Sequence, residues 1–352
     1  MTHRIVILGA GYAGLSAANR LSRLLPAAQL TLVNRTPHFV ERVRLHQLAA
    51  GQSLRRQPLP GYASTATVTG IDLAARTVHL DTDTQLCYDT LVYALGSSAD
   101  LDSVPGVREH AFALADPDQA HRLRTHLPTL PDGARLTVVG GGLTGIEAAA
   151  ELAETRPDLR ISLLSGTQPG AWLSPAARRH LHRALTRLGI ATRHGSQVTK
   201  LGPDTVHLAD GTGLPTDTTV WAAGFRVPAL AAEAGLAVDA QGRLLVDDHL
   251  RSLSHPEVYG IGDAAAGARM SCQTGLPMGR YAATDITRTL RGRRTRPIRI
   301  RYVWQNISLG RRDGITQFTR TDDTPVNAVL TGRISALFKE FITRGAAWTT
   351  RR

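Results

Sequence analysis

The chain has 352 residues, 42% of them hydrophobic, enough for two or three compact domains with cores of their own. Its formal charge is +12, but only Lys200 and Lys339 among 41 basic residues are lysines, an imbalance that fits coding bias better than selection for a partner. No run of about 18 uncharged apolar residues reads as a membrane span, no signal-peptide layout opens the chain, and Cys87 and Cys272 are too far apart for a disulfide framework.

The first element is the apolar strand "RIVIL", which runs into "GAGYAG" at 9–14 and then a small-residue helix. A second apolar strand ends at Asn34. Strand, GxGxxG, helix and returning strand within about 30 residues make a βαβ unit that binds a dinucleotide. Gly9 permits the turn, Gly11 lets a pyrophosphate approach the backbone, and Gly14 lets helix and strand pack closely. Ala10, Tyr12 and Ala13 complete the loop. The helix N-terminus offers unpaired N–H groups to the anion. An acid usually follows the second strand and accepts from the adenosine ribose. Here Asn34 takes that place, able to hydrogen-bond without charge, with Arg35 beside it.

The next segment, "HFVERVRLHQLAAGQ", contains no cysteine. Arg42, Arg44 and His46 are its polar groups. Arg42 is a candidate phosphate or flavin contact, with solvated helix charges as the plain alternative. A strand-like stretch, "ATVTGIDLAARTV", contains Val68, and "YDTLVYALGS" at 88–97 is a strand ending in a small-residue turn with Ala94 and Gly96. Both cysteines read as small buried or semi-buried residues.

Shifting the sequence by 131 residues brings a second copy of the opening unit into line without a gap. Arg135 falls on Arg4, Gly140 on Gly9, Pro157 on Pro26 and Ser165 on Asn34. Gly140, Gly142 and Gly145 of "GGGLTGIE" therefore mark a second dinucleotide site. Ser165 neither repels nor grips a 2′-phosphate, so NADH and NADPH both remain open. "TDTTVWAAGF" at 216–225, with Gly224, repeats the strand at 88–97, and "LSHPEVYGIGDAAA" is a strand ending in Gly262-Asp263. Asp263 can accept from a sugar-like hydroxyl.

"RGRRTRPIRIR" at 291–301 holds six arginines and no acid. No aromatic platform or nucleic-acid motif accompanies it, so nucleic acid is not expected as a partner, and a solvated strand edge or an anionic surface contact is. Near the C-terminus, Ile334, Leu337, Phe338, Phe341 and Ile342 share one helical face, with Arg333, Lys339 and Arg344 elsewhere. Such a helix docks on its own domain, on a partner subunit in a homodimer, or on anionic lipid.

The ordered set "GAGYAG", "LVYALGS", "GGGLTGIE", "VWAAG" and "VYGIGD" resembles the two-dinucleotide flavoproteins of the pyridine nucleotide-disulfide oxidoreductase superfamily over nearly all of residues 1–295. Within it the chain is most similar to type II NADH dehydrogenases, whose "GGxxTGxE" stands here as "GGGLTGIE". The resemblance implies FAD on the first loop and on Asp263, adenine against the backbone of Val68, and NADH or NADPH on the second loop. It places Glu147 where nicotinamide meets flavin; a first-turn acid favoured by the helix dipole is the plain alternative. The family's AQxxxQ near the quinone end of the flavin corresponds to "CQTGLPMGR" at 272–280. Gln273 matches the first glutamine and Pro277 replaces the second, in what is expected to be the first turn of a helix aimed at the flavin. Relatives that need a cysteine pair beside the flavin are excluded by the absence of one.

The expected fold is α/β with two Rossmann-like domains. The FAD domain covers 1–110 and 240–295, the nucleotide domain 111–239, and a small C-terminal domain 296–352. No metal is expected. The function implied is hydride transfer from NAD(P)H to flavin and then electron transfer to a small acceptor such as a quinone, with Glu147 and Gln273 as catalytic candidates. The location implied is cytoplasmic, with peripheral attachment to the inner face of the cell membrane if the C-terminal helix meets lipid. A biosynthetic flavin oxidoreductase acting on a specialised metabolite and a non-catalytic sensing flavoprotein are the rival readings.

Overall fold

The computed structural model describes residues 2–350. The strand Arg4–Leu8 leads through the first glycine turn into helix α1 (Tyr12–Leu24). It lies at the centre of a five-stranded sheet in the order Val258–Gly260, Thr90–Tyr93, Arg4–Leu8, Gln29–Asn34, Ala63–Thr65. Every pairing in that sheet is parallel. Ile5, Val6, Ile7 and Leu8 are all buried, as expected for a parallel strand covered on both faces.

The second sheet repeats the design, with order Ala111–Ala113, Thr218–Trp221, Arg135–Val139, Arg160–Leu164, Ala191–Arg193, again all parallel. Helix α2 (Leu143–Thr155) follows its glycine turn. The duplication extends to register. Leu8 pairs with Val33 and Val139 with Leu164, which are equivalent positions under the 131-residue shift. It extends to electrostatics as well. Arg4 makes a two-pronged contact with Asp89 (2.8 and 3.2 Å), and Arg135 makes one with Asp217 (3.0 and 3.1 Å). The two aspartates occupy matching places in "YDTLVY" and "TDTTVW".

The chain returns to the first sheet through Val258–Gly260 and closes it with helix α3 (Cys272–Leu290), which lies against α1. Only glycine fits at that crossing: a Cβ on Gly279 would stand 2.2 Å from the Ala13 carbonyl oxygen. The return begins earlier than residue 240, because Leu230, Ala231 and Leu236 already share a core with Val6 and Leu8.

The C-terminal segment is an antiparallel meander (Trp304–Ser308, Gly314–Thr319, Pro325–Thr331) followed by helix α4 (Gly332–Thr349). It has no separate core. Ile307, Leu309 and Ile315 belong to the same buried cluster as Ile146, Ala149 and Ala153 of α2. The meander therefore caps the nucleotide half, while Ala347, near the end of the segment, is buried in the core of the first half with Ala13 and Met278. Helix α4 docks through Ser335, which hydrogen-bonds Thr316 (2.8 Å), and through Phe338, whose ring meets Trp304 edge-on. Ile334, Leu337, Phe341 and Trp348 face outward, so the apolar face read from sequence is only partly buried. The arginine run at 291–301 is irregular rather than a strand edge. Cys87 is exposed, because it ends an outer strand of a small sheet; Cys272 is partly buried. Among the described residues no helix is long and apolar enough to cross a membrane.

Candidate functional site

The two glycine loops divide their labour identically. A Cβ on Gly9 would lie 2.4 Å from the Ala94 carbonyl oxygen, and one on Gly14 would lie 1.9 Å from that of Gly9. In the second loop the equivalent clashes are Gly140 on Ala222 (2.6 Å) and Gly145 on Gly140 (1.7 Å). These glycines exist for packing. Gly11 and Gly142 differ: a Cβ on either meets nothing within 4 Å. Each is the N-cap of its helix, makes no side-chain cap and is followed by no acid in the first turn. The helix N–H groups are thus left for an anion that approaches the backbone. Both loops fit a dinucleotide pyrophosphate.

A cleft of about 360 Å³ opens in front of the first loop. Ala10, Gly11, Tyr12 and Ala13 form its floor, with Ala94, Gly96, Gly262 and Asp263 along one side. Arg35 and Arg42 also line it, as does Thr144 of the second loop, so one cleft reaches both halves. The Tyr12 hydroxyl is buried beside it without a protein partner. Val68 lies outside the cleft lining, in the small sheet of Val68–Asp72, Thr77–Leu80 and Gln85–Cys87. Gly224, with φ of 81°, stands three residues beyond the strand Thr218–Trp221, next to Phe225, which lines the cleft.

Asn34 has a different role from the one expected. Its Oδ1 accepts from the Ala10 N–H (2.9 Å), and its Nδ2 donates to the Thr36 carbonyl (2.8 Å) and hydroxyl (3.1 Å). Both amide hydrogens are engaged, so the side chain braces the loop and retains only oxygen lone pairs for a ribose. Arg35 pairs with Asp116 at 2.7 Å on the cleft rim. Asp263 accepts from the Ser97 hydroxyl (2.8 Å) and sits 3.6 Å from Arg42. Arg42 in turn donates to the Ser97 carbonyl (2.6 Å) and stacks over Phe225. Burial pushes its guanidinium pKa down, partly offset by the Asp263 and Asp116 charges. Ser97 is the bridge that sequence reading did not single out, although it closes the motif "YDTLVYALGS".

Glu147 does not line this cleft. It is buried, accepts from the Ser308 N–H (3.0 Å) and pairs with the Lys339 ammonium of α4. His46 Nδ1 lies 3.8 Å from its other oxygen, and His46 Nε2 is buried without a partner. Burial lowers the His46 pKa to about 4, despite the attraction of Glu147, so the ring is neutral at pH 7. Lys339 was visible in sequence as one of two lysines and as a base on the polar side of the C-terminal helix, with nothing to pair it with Glu147.

Gln273 lies in the first turn of α3, where its Oε1 accepts from Arg269 (2.9 Å). Its amide nitrogen is thereby oriented away from Arg269. Pro277 lies inside α3 rather than in its first turn, because the helix starts at Ser271, whose hydroxyl caps the Thr274 N–H. The ring leaves the Gln273 carbonyl without its helical donor. Cys272, which does line the dinucleotide cleft, has its thiol pKa pushed up by burial. Among the described residues no cluster of His, Cys, Asp or Glu could hold a metal ion.

A family model described as pyridine nucleotide-disulphide oxidoreductase matches residues 3–283. An NADH dehydrogenase-like protein of Mycobacterium tuberculosis is 36% identical over 344 residues, covering 87% of this chain and 86% of its own. A type II NADH:quinone oxidoreductase of Staphylococcus epidermidis is 26% identical, with 89% of each chain covered. The solved sulfide:quinone oxidoreductase of Aquifex aeolicus superposes with a TM-score of 0.87 at 20% identity, over 99% of this chain and 92% of that one.

Proposed function

The chain belongs to the pyridine nucleotide-disulphide oxidoreductase family and is an oxidoreductase, and we propose that it is an FAD-dependent NAD(P)H dehydrogenase that passes electrons to a quinone-like small acceptor. The observation that carries this reading is the single cleft that spans the first glycine loop, Asp263 and the second loop through Thr144. A flavin held there would accept hydride from NAD(P)H and pass electrons onward. The chain's own residues bind and orient.

The α1 N-terminus and the open face at Gly11 take a pyrophosphate. Asp263, already held by Ser97 and Arg42, takes a ribityl hydroxyl. This two-part requirement favours FAD over FMN. The α2 N-terminus and Gly142 take the pyrophosphate of the nicotinamide dinucleotide. Neutral Ser165 predicts less than about hundredfold preference between NADH and NADPH, roughly 2.7 kcal/mol. The Glu147–Lys339 ion pair ties α2 to α4. Gln273, fixed by Arg269, offers an amide donor toward the acceptor.

Pro277 removes the second glutamine amide, so short-chain quinones are reduced without the specificity of a respiratory enzyme. The outward stripe of α4, flanked by Arg333 and Arg344, suits peripheral contact with anionic lipid. Anaerobic mixing with NADH and then NADPH, followed by flavin absorbance, tests the core of the proposal. A protein that is colourless after FAD reconstitution, or a flavin that neither nucleotide bleaches, overturns it. Strong menaquinone activity confined to lipid vesicles would instead restore a plain respiratory role.

A further inference from the structure

A second cavity, about 300 Å³, lies between α4 and the turn after Trp304–Ser308, and shares only Val43 with the lining of the first cleft. Its lining includes Arg44, Arg311, Arg312, Arg333, Lys339 and Arg344, with Glu340 as the acid among the lining residues. Four carboxylates partly balance these charges. Glu41 and Glu340 each lie 3.0 Å from Arg44, and Glu340 also reaches Arg344 at 2.7 Å. Glu147 pairs with Lys339, and Glu151 lies 3.6 Å from Arg311. Arg312 and Arg333 make no ion pair or side-chain hydrogen bond among the described residues.

We propose that this cavity binds a phosphate-bearing ligand, a monoester or diester, through Arg312 and Arg333. Glu340, the acid of the lining, is taken up by Arg44 and Arg344, so the Arg312 and Arg333 charges are not paired with it, and an anion in the cavity would offset them. The planar guanidinium fork matches phosphate oxygens in pairs. Arg333 also belongs to the first turn of α4, whose N-cap Thr331 makes no side-chain cap. The N–H groups of that first turn thus lack a side-chain cap and add positive potential at the end of α4 that carries Arg333. Ala336 and Leu337 line the cavity too, and the apolar stripe continues outward through Ile334 and Phe341. The ligand thus has room for an apolar part next to its phosphate. A phospholipid headgroup and a soluble phosphate ester share this chemistry.

The test uses FAD-loaded full-length protein and needs no turnover, so its outcome is separable from the proposed dehydrogenase activity. Thermal melting is followed with inorganic phosphate against chloride at fixed ionic strength. Co-sedimentation is measured with phosphatidylglycerol and phosphatidylcholine vesicles. The site variant is Arg312→Gln with Arg333→Gln; the charge-matched control is Arg293→Gln with Arg301→Gln in the exposed arginine run. Phosphate is expected to raise the melting temperature of the native and control proteins but not of the site variant. If a lipid headgroup is the source, binding to phosphatidylglycerol vesicles falls at least tenfold in the site variant alone. A phosphate shift that depends on Arg312 and Arg333, with vesicle binding that does not, assigns a soluble ester. An identical phosphate shift in the native protein and the site variant overturns the proposal.

Discussion

Alanine at Gly142 separates ligand binding from folding. Gly142 has φ of −74° and ψ of −178°, an extended conformation open to any residue, and an added Cβ meets nothing within 4 Å. Alanine is a poorer N-cap, costing about 1 kcal/mol. It also restricts the unfolded chain, which returns about 0.4–1 kcal/mol. The melting temperature should therefore move by less than about 3 °C. The methyl stands where a pyrophosphate must approach the α2 N–H groups. Displacing the ligand weakens charge-assisted hydrogen bonds worth about 1.5–3 kcal/mol, roughly a tenfold to hundredfold loss of NADH affinity. Gly145→Ala is the contrast: its Cβ would lie 1.7 Å from the Gly140 carbonyl oxygen, so the loop itself must move and stability falls. The assay is anaerobic flavin bleaching against NADH concentration, with FAD content read from the spectrum. Gly142→Ala should keep FAD, and the equivalent Gly11→Ala should lose it. If Gly142→Ala sheds FAD, or leaves both FAD content and NADH affinity unchanged, the separation of the two loops is wrong.

Asp263→Ala should weaken FAD retention at least tenfold, since about 1.5–3 kcal/mol of charge-assisted hydrogen bonding goes with it; an unchanged Kd in FAD titration of the apoprotein contradicts the assignment. His46 is held neutral by burial with a pKa of about 4, below its unfolded value, so the unfolded chain takes up the proton first as pH falls. Its contribution is complete above about pH 6.5 and declines toward pH 4, by about 2 kcal/mol between pH 7 and pH 5. Urea unfolding at both values should show His46→Gln lacking that part of the loss; equal losses exclude it. Asp285 is fully buried and accepts from Arg251 (2.7 Å) and the Tyr259 hydroxyl (2.8 Å). Asp285→Ala should lower stability by about 3 kcal/mol or more, seen as a lower denaturant midpoint, and a shift below about 1 kcal/mol would count against a structural role.

The parts legible in sequence were those encoded locally or repeated. Strand, glycine turn and helix are contiguous, and the 131-residue shift preserves even the register of the first two strands, while the Arg4–Asp89 and Arg135–Asp217 contacts recur with an offset of 128 at the aspartates. The parts that were not legible depend on distant segments meeting. Glu147 and Lys339 are 192 residues apart, and no local pattern announces their pairing. The C-terminal segment reads as a domain because its strands and helix are regular, yet its buried residues complete the core under α2. Pro277 was misplaced by one turn because the cap at Ser271 precedes the stretch compared with the family pattern. Asn34 stands at the position from which a ribose contact was expected, and its amide is engaged by Ala10 and Thr36, a local competition that composition does not reveal.

One equivalent pair at which the two halves differ, Ser16 and Glu147, changes what each helix is tied to. Both are buried and project from the same place on their helices, α1 and α2. Ser16 donates its hydroxyl to the Leu276 carbonyl of α3 (2.9 Å), one residue before Pro277. A small neutral group suits that place because α1 and α3 approach closely enough to require Gly279. Helix α2 has no such neighbour on the corresponding side; it is covered by the short helix Leu45–Ala49 and by the C-terminal meander. A longer, charged side chain can be accommodated there only if it is paired. Ser308 and Lys339 provide that pairing, both from the C-terminal cap. The same position that locks two helices together in the first half therefore ties the cap to the second half. A buried acid is tolerated at this point because the cap brings its counter-charge, and removing Lys339 would leave that acid uncompensated beside a neutral His46.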